Sequence, residues 1–383
     1  MRIAVNTRFL IKNRLEGIGW FTYETMKRLV QRHPEHEFVF LFDRDFPNEF
    51  LFADNVIGEK VWPPARHPYL WQFWFDYSIP RILERYNPDL FISTDGFMST
   101  KTHLPTLLVL HDLGFEHYPE HTPQIVSRYY RKYTPVFARK ADKIITVSNF
   151  TKQDIITQYN IEPSKIDVIF NGASDVYKPL NTEQQIAVRQ KYTSGKPYFI
   201  YVGSVHPRKN IKNLLLAYDQ FQTKHHTDYK LVIAGRMAWK TDITKEAFES
   251  MHCKEDVIFT GHLQLPDLAE LMGGAEALIY PSLFEGFGIP VLEARYCNVP
   301  VISSNRSSLP EVAGENALYF NPENIEEMRA AIEKFYTNHL HYKKLASTGM
   351  DIRNIFSWDA SVTRMEQTIA EMDKRFKPSI VLQ

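Results

Sequence analysis

Residues 277–293 read ALIYPSLFEGFGIPVLE. The first four are apolar without alternation, the mark of a short strand buried on both faces. A turn with Pro281, Gly286 and Gly288 follows, and from Ile289 the pattern is helical, with Pro290 in its first turn. Strand, glycine loop, helix is the unit of a parallel α/β sheet, in which ligands meet the carboxyl ends of the strands. The glycines beside Glu285, with Phe287 between them, leave backbone N–H groups exposed near the start of that helix, where phosphate or sugar oxygens are well received. Glu293 falls about one turn into the helix, so both carboxylates reach the same edge. Each offers two strong acceptors, suited to the vicinal hydroxyls of a sugar or ribose.

The same alternation extends in both directions. Upstream, strands are predicted at 3–6, 38–42, 90–93, 106–111, 143–147 and 167–170, with helices at 20–31, 124–138 and 149–159. Residues 171–181 (NGASDVYKPLN) are polar and aperiodic and read as a linker. The pattern restarts with strands at 198–202, 230–234, 257–260, 277–280 and 299–303. Helices follow at 211–223, 266–273, 289–297 and 325–336, and one more begins at Ser357. Two α/β domains are expected: 1–174, joined by a C-terminal helix from 357–383 crossing back to it, and 183–356.

The bulk properties exclude several classes. At 383 residues the chain is too long for one ordinary core. Lys plus Arg and Asp plus Glu both total 45, so no global field draws in nucleic acid. Two cysteines make neither a disulfide framework nor a zinc site, and no apolar run approaches the roughly 18 residues that span a bilayer. A cytoplasmic protein without a signal peptide is expected. Aromatic residues reach 14%, concentrated in Trp62 and residues 69–77 (YLWQFWFDY). They supply either a ring-rich core or an exposed rim for glycan or lipid. Residues 128–152 carry seven Lys or Arg against one acid, with Tyr129, Tyr130, Tyr133 and Phe137 interleaved. That stretch reads either as a solvated helix with core aromatics or as a peripheral membrane contact.

The two glutamates separated by seven residues, with Gly286-Phe287-Gly288 between them, closely resemble the signature of glycosyltransferase family 4. The resemblance covers nearly the whole chain. It includes Gly17-Ile18-Gly19, His111-Asp112, residues 203–210 (GSVHPRKN), Gly235-Arg236, Phe259-Thr260-Gly261 and residues 307–314 (SSLPEVAG). It implies a GT-B fold, two Rossmann-like domains facing across a cleft, and transfer with retained anomeric configuration from a nucleotide-diphosphate sugar. Glu285 would hold sugar hydroxyls and Glu293, with Leu292 beside it, the ribose. Arg208 and Lys209 would take the pyrophosphate, with Gly17 and Gly19 approaching it ahead of a helix starting at Trp20. His111 would touch the transferred sugar, Arg236 the phosphate or base, and His262 and Leu263 the base pocket. The pattern is similar to bacterial mannosyltransferases of O-antigen and exopolysaccharide assembly, which favours GDP-mannose over UDP-sugars as donor and a glycan or lipid-linked acceptor.

No cofactor or metal is expected. Asp43-Arg44-Asp45 imitates the DxD motif of metal-dependent GT-A enzymes but is read as an acidic turn. A hydrolysing nucleotide-sugar epimerase and a non-catalytic sugar-nucleotide or glycan binder are the rival readings.

Overall fold

A computed structural model describes residues 1–236, 242–348 and 352–378. It divides into two compact units, Met1–Asn171 with Ser357–Gln383, and Gly172–Phe356. Residues 379–383, the end of the expected C-terminal helix, lie outside the described residues.

The first unit is built on seven parallel strands: β1 (Arg2–Asn6), β2 (Glu37–Phe42), β3 (Val56–Lys60), β4 (Leu90–Ser93), β5 (Thr106–Leu110), β6 (Lys143–Thr146) and β7 (Ile166–Val168). Their order is β3-β2-β1-β4-β5-β6-β7. The second unit has six: β8 (Tyr198–Val202), β9 (Lys230–Ala234), β10 (Val257–Gly261), β11 (Ala277–Tyr280), β12 (Val301–Ser304) and β13 (Leu318–Phe320), in the order β10-β9-β8-β11-β12-β13. Every pairing is parallel. Strand order reverses between β1 and β4 in one sheet and between β8 and β11 in the other. In open parallel sheets the crevice beyond the strand ends at such a reversal is where ligands bind.

β3 and β13 are absent from the sequence expectation. β3 carries Gly58, Glu59 and Lys60 on a partly exposed sheet edge, and β13 is three residues long, so neither has the unbroken apolar run of an inner strand. The helix Gly17–Arg32 begins at the first glycine, not after the second, with Glu16 as its cap residue. A helix at Thr182–Thr193, closed by an Asn181/Gln184 capping box, also escaped the reading.

The C-terminal helix Trp358–Met372 packs on Gly17–Arg32 within the first unit. Arg32 Nη2 reaches Asp359 Oδ1 at 2.6 Å, and Ser361 Oγ donates to the carbonyl of Phe170.

The aromatic excess divides into a buried and an exposed set. Trp74 and Phe75 are fully buried, while Trp62 is 72% and Tyr69 77% exposed. In the basic helix Gln124–Lys140 the rings turn inward. Tyr129 and Tyr130 pack against Trp71 and Phe97, and Phe137 is buried.

Candidate active site

In the second unit the strand reversal brings two loops together. The loop after β8 carries a single 3-10 turn, Pro207–Lys209, and the loop after β11 carries Glu285. Leu283 N donates to the carbonyl of Arg208 at 2.8 Å. Asn210 Nδ2, at a residue with φ +57°, donates to Pro281 O and Pro322 O at 3.2 and 2.6 Å. These bonds, one between backbones and two from the Asn210 side chain, fix the register of the two loops.

On that frame Lys209 Nζ lies 2.6 Å from Glu285 Oε1, and Arg208 Nη1 lies 3.3 Å from Oε2. Glu285 is only 6% exposed. Burial alone would raise its carboxyl, but Lys209 and Arg208 outweigh that and hold it at about 2. Tyr280, the last residue of β11, joins the cluster: its hydroxyl accepts from Lys209 Nζ at 3.1 Å and donates to Glu285 Oε1 at 3.2 Å. Sequence reasoning missed Tyr280. The available signal was its place at the carboxyl end of an inner parallel strand.

Glu285 is held by its backbone as well. Its N–H donates to Ser307 Oγ at 2.9 Å, and Ser308 Oγ lies 2.9 and 3.0 Å from the carbonyls of Glu285 and Phe287. Ser307 and Ser308 therefore support the backbone that carries the carboxylate. Gly288 has φ +102°, and a Cβ there would come within 2.7 Å of Leu309 Cδ2. Both the backbone and the neighbour demand glycine.

Glu293 sits one turn into the helix Ile289–Tyr296 and is half-buried. No cation offsets its burial, which pushes its carboxyl up to about 7. The Tyr177 hydroxyl opposes that shift without meeting full hydrogen-bond geometry. The two glutamates thus differ by roughly five pH units, from one cause: Glu285 has two cations and Glu293 none.

The other expected residues fall into two groups. Arg236 and His262 are exposed and Leu263 is half-buried, in the loops after β9 and β10, while Gly286, in the loop after β11, is buried. Leu292 is fully buried, and Phe287 packs its ring on Phe356 at 5.8 Å, so the Leu292 side chain and the Phe287 ring belong to the core. Only the backbone of Phe287 is left for a ligand.

In the first unit Gly17 is exposed, with nothing within 4 Å of a Cβ built on it. Gly19 is buried, and a Cβ there would lie 2.9 Å from the carbonyl of Phe9. The pair therefore divides: Gly19 is required by packing, and Gly17 is free to face a ligand. His111 follows β5 directly. Its Nε2 is 2.8 Å from the carbonyl of Thr94, which can only accept, so Nε2 bears the proton. Burial lowers its pKa and keeps the ring neutral. Asp112 accepts from Gly114 N at 2.8 Å and caps a short turn.

Beside the Thr94 carbonyl lies a group the sequence did not disclose. Arg8 is buried, pairs with Asp95, and its guanidinium sits 4.3 Å from the Phe97 ring centroid and 5.2 Å from Phe75. The two carboxylates of Asp43-Arg44-Asp45 point to different cations: Asp43 is buried against Arg44, and Asp45 pairs with Lys60 at 2.7 Å. That leaves them no common ligand site.

With this geometry in view, comparison with known proteins is direct. The family model described as "Glycosyltransferase Family 4" matches residues 15–175, and that described as "Glycosyl transferases group 1" matches residues 183–351. O-antigen chain mannosyltransferase B of Escherichia coli is 28% identical over 369 residues, 92% of this chain and 96% of its own. O-antigen chain mannosyltransferase RfbU of Salmonella typhimurium is 27% identical over 291 residues, 73% and 77% of the two chains. Among solved structures, sucrose-phosphate synthase from Thermosynechococcus elongatus superposes with a TM-score of 0.77 at 18% identity, covering 98% of this chain and 99% of that one. Anabaena HepE in complex with UDP-glucose gives 0.76 at 18%, covering 97% and 100%. These structures share the fold. With both halves of the chain matched in order, and with a relative along almost its entire length, the protein is a glycosyltransferase of the GT-B fold and belongs to family 4.

Proposed function

We propose that the enzyme moves a hexosyl group, mannose before others, from a nucleotide-diphosphate sugar to a hydroxyl of a glycan or lipid-linked acceptor, with retention and without a metal. The observation that carries this reading is the buried Glu285 held between Lys209 and Arg208 at the strand reversal. An ionised carboxylate suits sugar hydroxyls, and two adjacent cations suit the charge that develops on a departing diphosphate. Those cations take the role that a divalent ion has in metal-dependent transferases. Glu293 is assigned to the ribose. Mannose is preferred because the curated relatives are named as mannosyltransferases.

The assignment of His111 to the transferred sugar rests on the family resemblance. A neutral ring with its proton committed to Thr94 orients a hydroxyl through Nδ1 without adding positive charge beside the reacting carbon. In a front-face route the bond from the anomeric carbon to the phosphate oxygen breaks. The acceptor oxygen bonds to that carbon on the same face, and its proton passes to the leaving phosphate.

We also assign a peripheral contact with anionic membrane to the first unit. The helical segment from Pro68 to Tyr86 presents Tyr69, Phe73 and Tyr77 to solvent at four-residue spacing, with Arg81 continuing the stripe. The packed helix Gln124–Lys140 has no acid and exposes Arg128 and Lys132. Interfacial rings beside cations suit a lipid surface. Among the described residues no helix is long and apolar enough to cross a membrane.

The test is a donor screen with EDTA present, following nucleotide release from GDP-mannose and a set of UDP-sugars, with and without lipid-linked oligosaccharide. Acceptor-dependent release from GDP-mannose is expected. Donors that all stay intact and unbound, with or without metal, would remove the proposal. Release of a free, altered sugar without acceptor would indicate the epimerase instead.

A further inference from the structure

Among the described residues, His33, Glu35 and His36 bring one ligand atom each within 4.8 Å of one another. They lie in the turn between the helix Gly17–Arg32 and β2. His33 Nδ1 is 3.1 Å from Glu35 Oε1, and His36 Nε2 is 3.6 Å from the same oxygen. The two imidazoles are parallel to within 6°, with centroids 5.5 Å apart. That is too far for face-to-face stacking, so their edges meet at the carboxylate. His36 is only 7% exposed, yet its Nε2 has no hydrogen-bond partner, a costly omission for a buried ring nitrogen. Behind the cluster, His33 Nε2 lies 3.1 Å from Oε1 of Glu366, a fully buried residue of the helix Trp358–Met372. Phe376 covers both rings, at 4.4 and 5.1 Å.

We propose that this cluster binds one divalent ion of the zinc class through His33 Nδ1, His36 Nε2 and the Glu35 carboxylate, as a structural site outside the transfer chemistry. Imidazole nitrogens with one carboxylate suit zinc and its transition-metal neighbours, whereas magnesium and calcium prefer all-oxygen sets. Glu366 supplies the supporting carboxylate that metal-bound histidines commonly have. It takes the Nε2 proton of His33 in a hydrogen bond, and the Nδ1 proton that Glu35 Oε1 holds at 3.1 Å is released to solvent when the ion binds there. Glu35 is exposed, so the ion would enter from solvent. Two other charged groups face the cluster. The Met1 amino group is 3.2 Å from His36 Nδ1, and Arg32 Nη1 is 3.5 Å from Glu366 Oε1. With Nε2 on the ion, His36 carries its proton at Nδ1 and gives up its acceptor role toward that amine. Protons compete with the ion at both rings, so binding weakens as pH falls. Because Glu366 belongs to the C-terminal helix, an ion held in this way also tightens that helix onto the rest of its unit.

The experiment is calorimetric titration of the chelator-treated full chain with zinc alone, repeated with cobalt, whose visible bands report nitrogen ligands. One equivalent should bind and raise the melting temperature. Glu35→Ala should abolish binding while the metal-free chain stays folded by circular dichroism, and Glu366→Gln should weaken affinity by about tenfold to a hundredfold. Zinc uptake that is unchanged in Glu35→Ala, or no saturable uptake by the native chain, overturns the proposal.

Discussion

Lys209 Nζ and Glu285 Oε1 stand 2.6 Å apart although 76 residues separate them in sequence. The cation assigned to the diphosphate is therefore already engaged by the carboxylate assigned to the sugar. Each member of the trio of Lys209, Glu285 and Tyr280 therefore depends on the others.

Removal of Glu285 should show that dependence. Glu285→Ala strands Lys209 and Arg208 beside a buried cavity and should cost about 3 kcal/mol of stability, the low end for breaking a buried pair because Arg208 keeps some solvent contact. Transfer should be lost. In urea titrations, Glu285→Ala with Lys209→Ala should cost less than the sum of the two single changes. Strict additivity would mean that the pair is not coupled.

The same pair sets an acid limit. Glu285 is held at about 2, below its ordinary 4.5. The folded state thus binds this proton less readily than the unfolded chain, and the stabilisation is complete above 4.5. It fades as pH falls from there through about 2. Glu285→Gln should flatten that part of the stability profile, as followed by circular dichroism.

Glu293 should respond in the opposite sense and at neutral pH. Its carboxyl, raised to about 7, is largely protonated below that value. Ribose hydroxyls that donate to it favour the ionised form, so nucleotide affinity should rise as pH increases through 7, with a proton released on binding. Calorimetry in buffers of different ionisation enthalpy measures that proton directly. Glu293→Gln should abolish both the proton release and the pH dependence. Without ligand the raised pKa favours the folded state most at low pH, and that advantage is lost as pH rises through 7.

The glycines offer a paired test. Gly288→Ala meets a positive φ and Leu309, and should cost about 1–3 kcal/mol, visible as a lower urea midpoint. Gly17→Ala meets open space and should keep its melting temperature. If its backbone approaches the donor phosphates, that variant should raise the donor KM with little change in kcat.

On the membrane face, replacing Tyr69, Phe73 and Tyr77 together by Ser should leave the melting temperature within a degree or two, since all three are exposed. Sedimentation with anionic vesicles should fall sharply, and binding of the native chain should weaken as salt rises. Equal sedimentation of both proteins would dismiss the contact.

What the sequence made legible was local. The strand, glycines and helix of 277–293 lie within one short window, so their order could be read directly. The pairing of Lys209 with Glu285, or of Arg8 with Asp95, depends on which strands become neighbours, and that is set by the whole sheet. Leu292 and Phe287 show a related limit: they neighbour Glu293 and Glu285 in sequence, yet helix and turn geometry bury their side chains. The aromatic clusters show the same limit. Tyr130 and Tyr69 look alike in sequence, and only packing makes one a core residue and the other a surface one.

The first unit is written in two pieces, Met1–Asn171 and Ser357–Gln383, with the second unit inserted between them. During synthesis the segment Gly172–Phe356 leaves the ribosome whole and can fold as a body, while its predecessor waits. The half that is translated first is finished last. Until Trp358 and its helix arrive, the part of Gly17–Arg32 on which they pack is uncovered, and transiently exposed apolar surface of that kind favours aggregation.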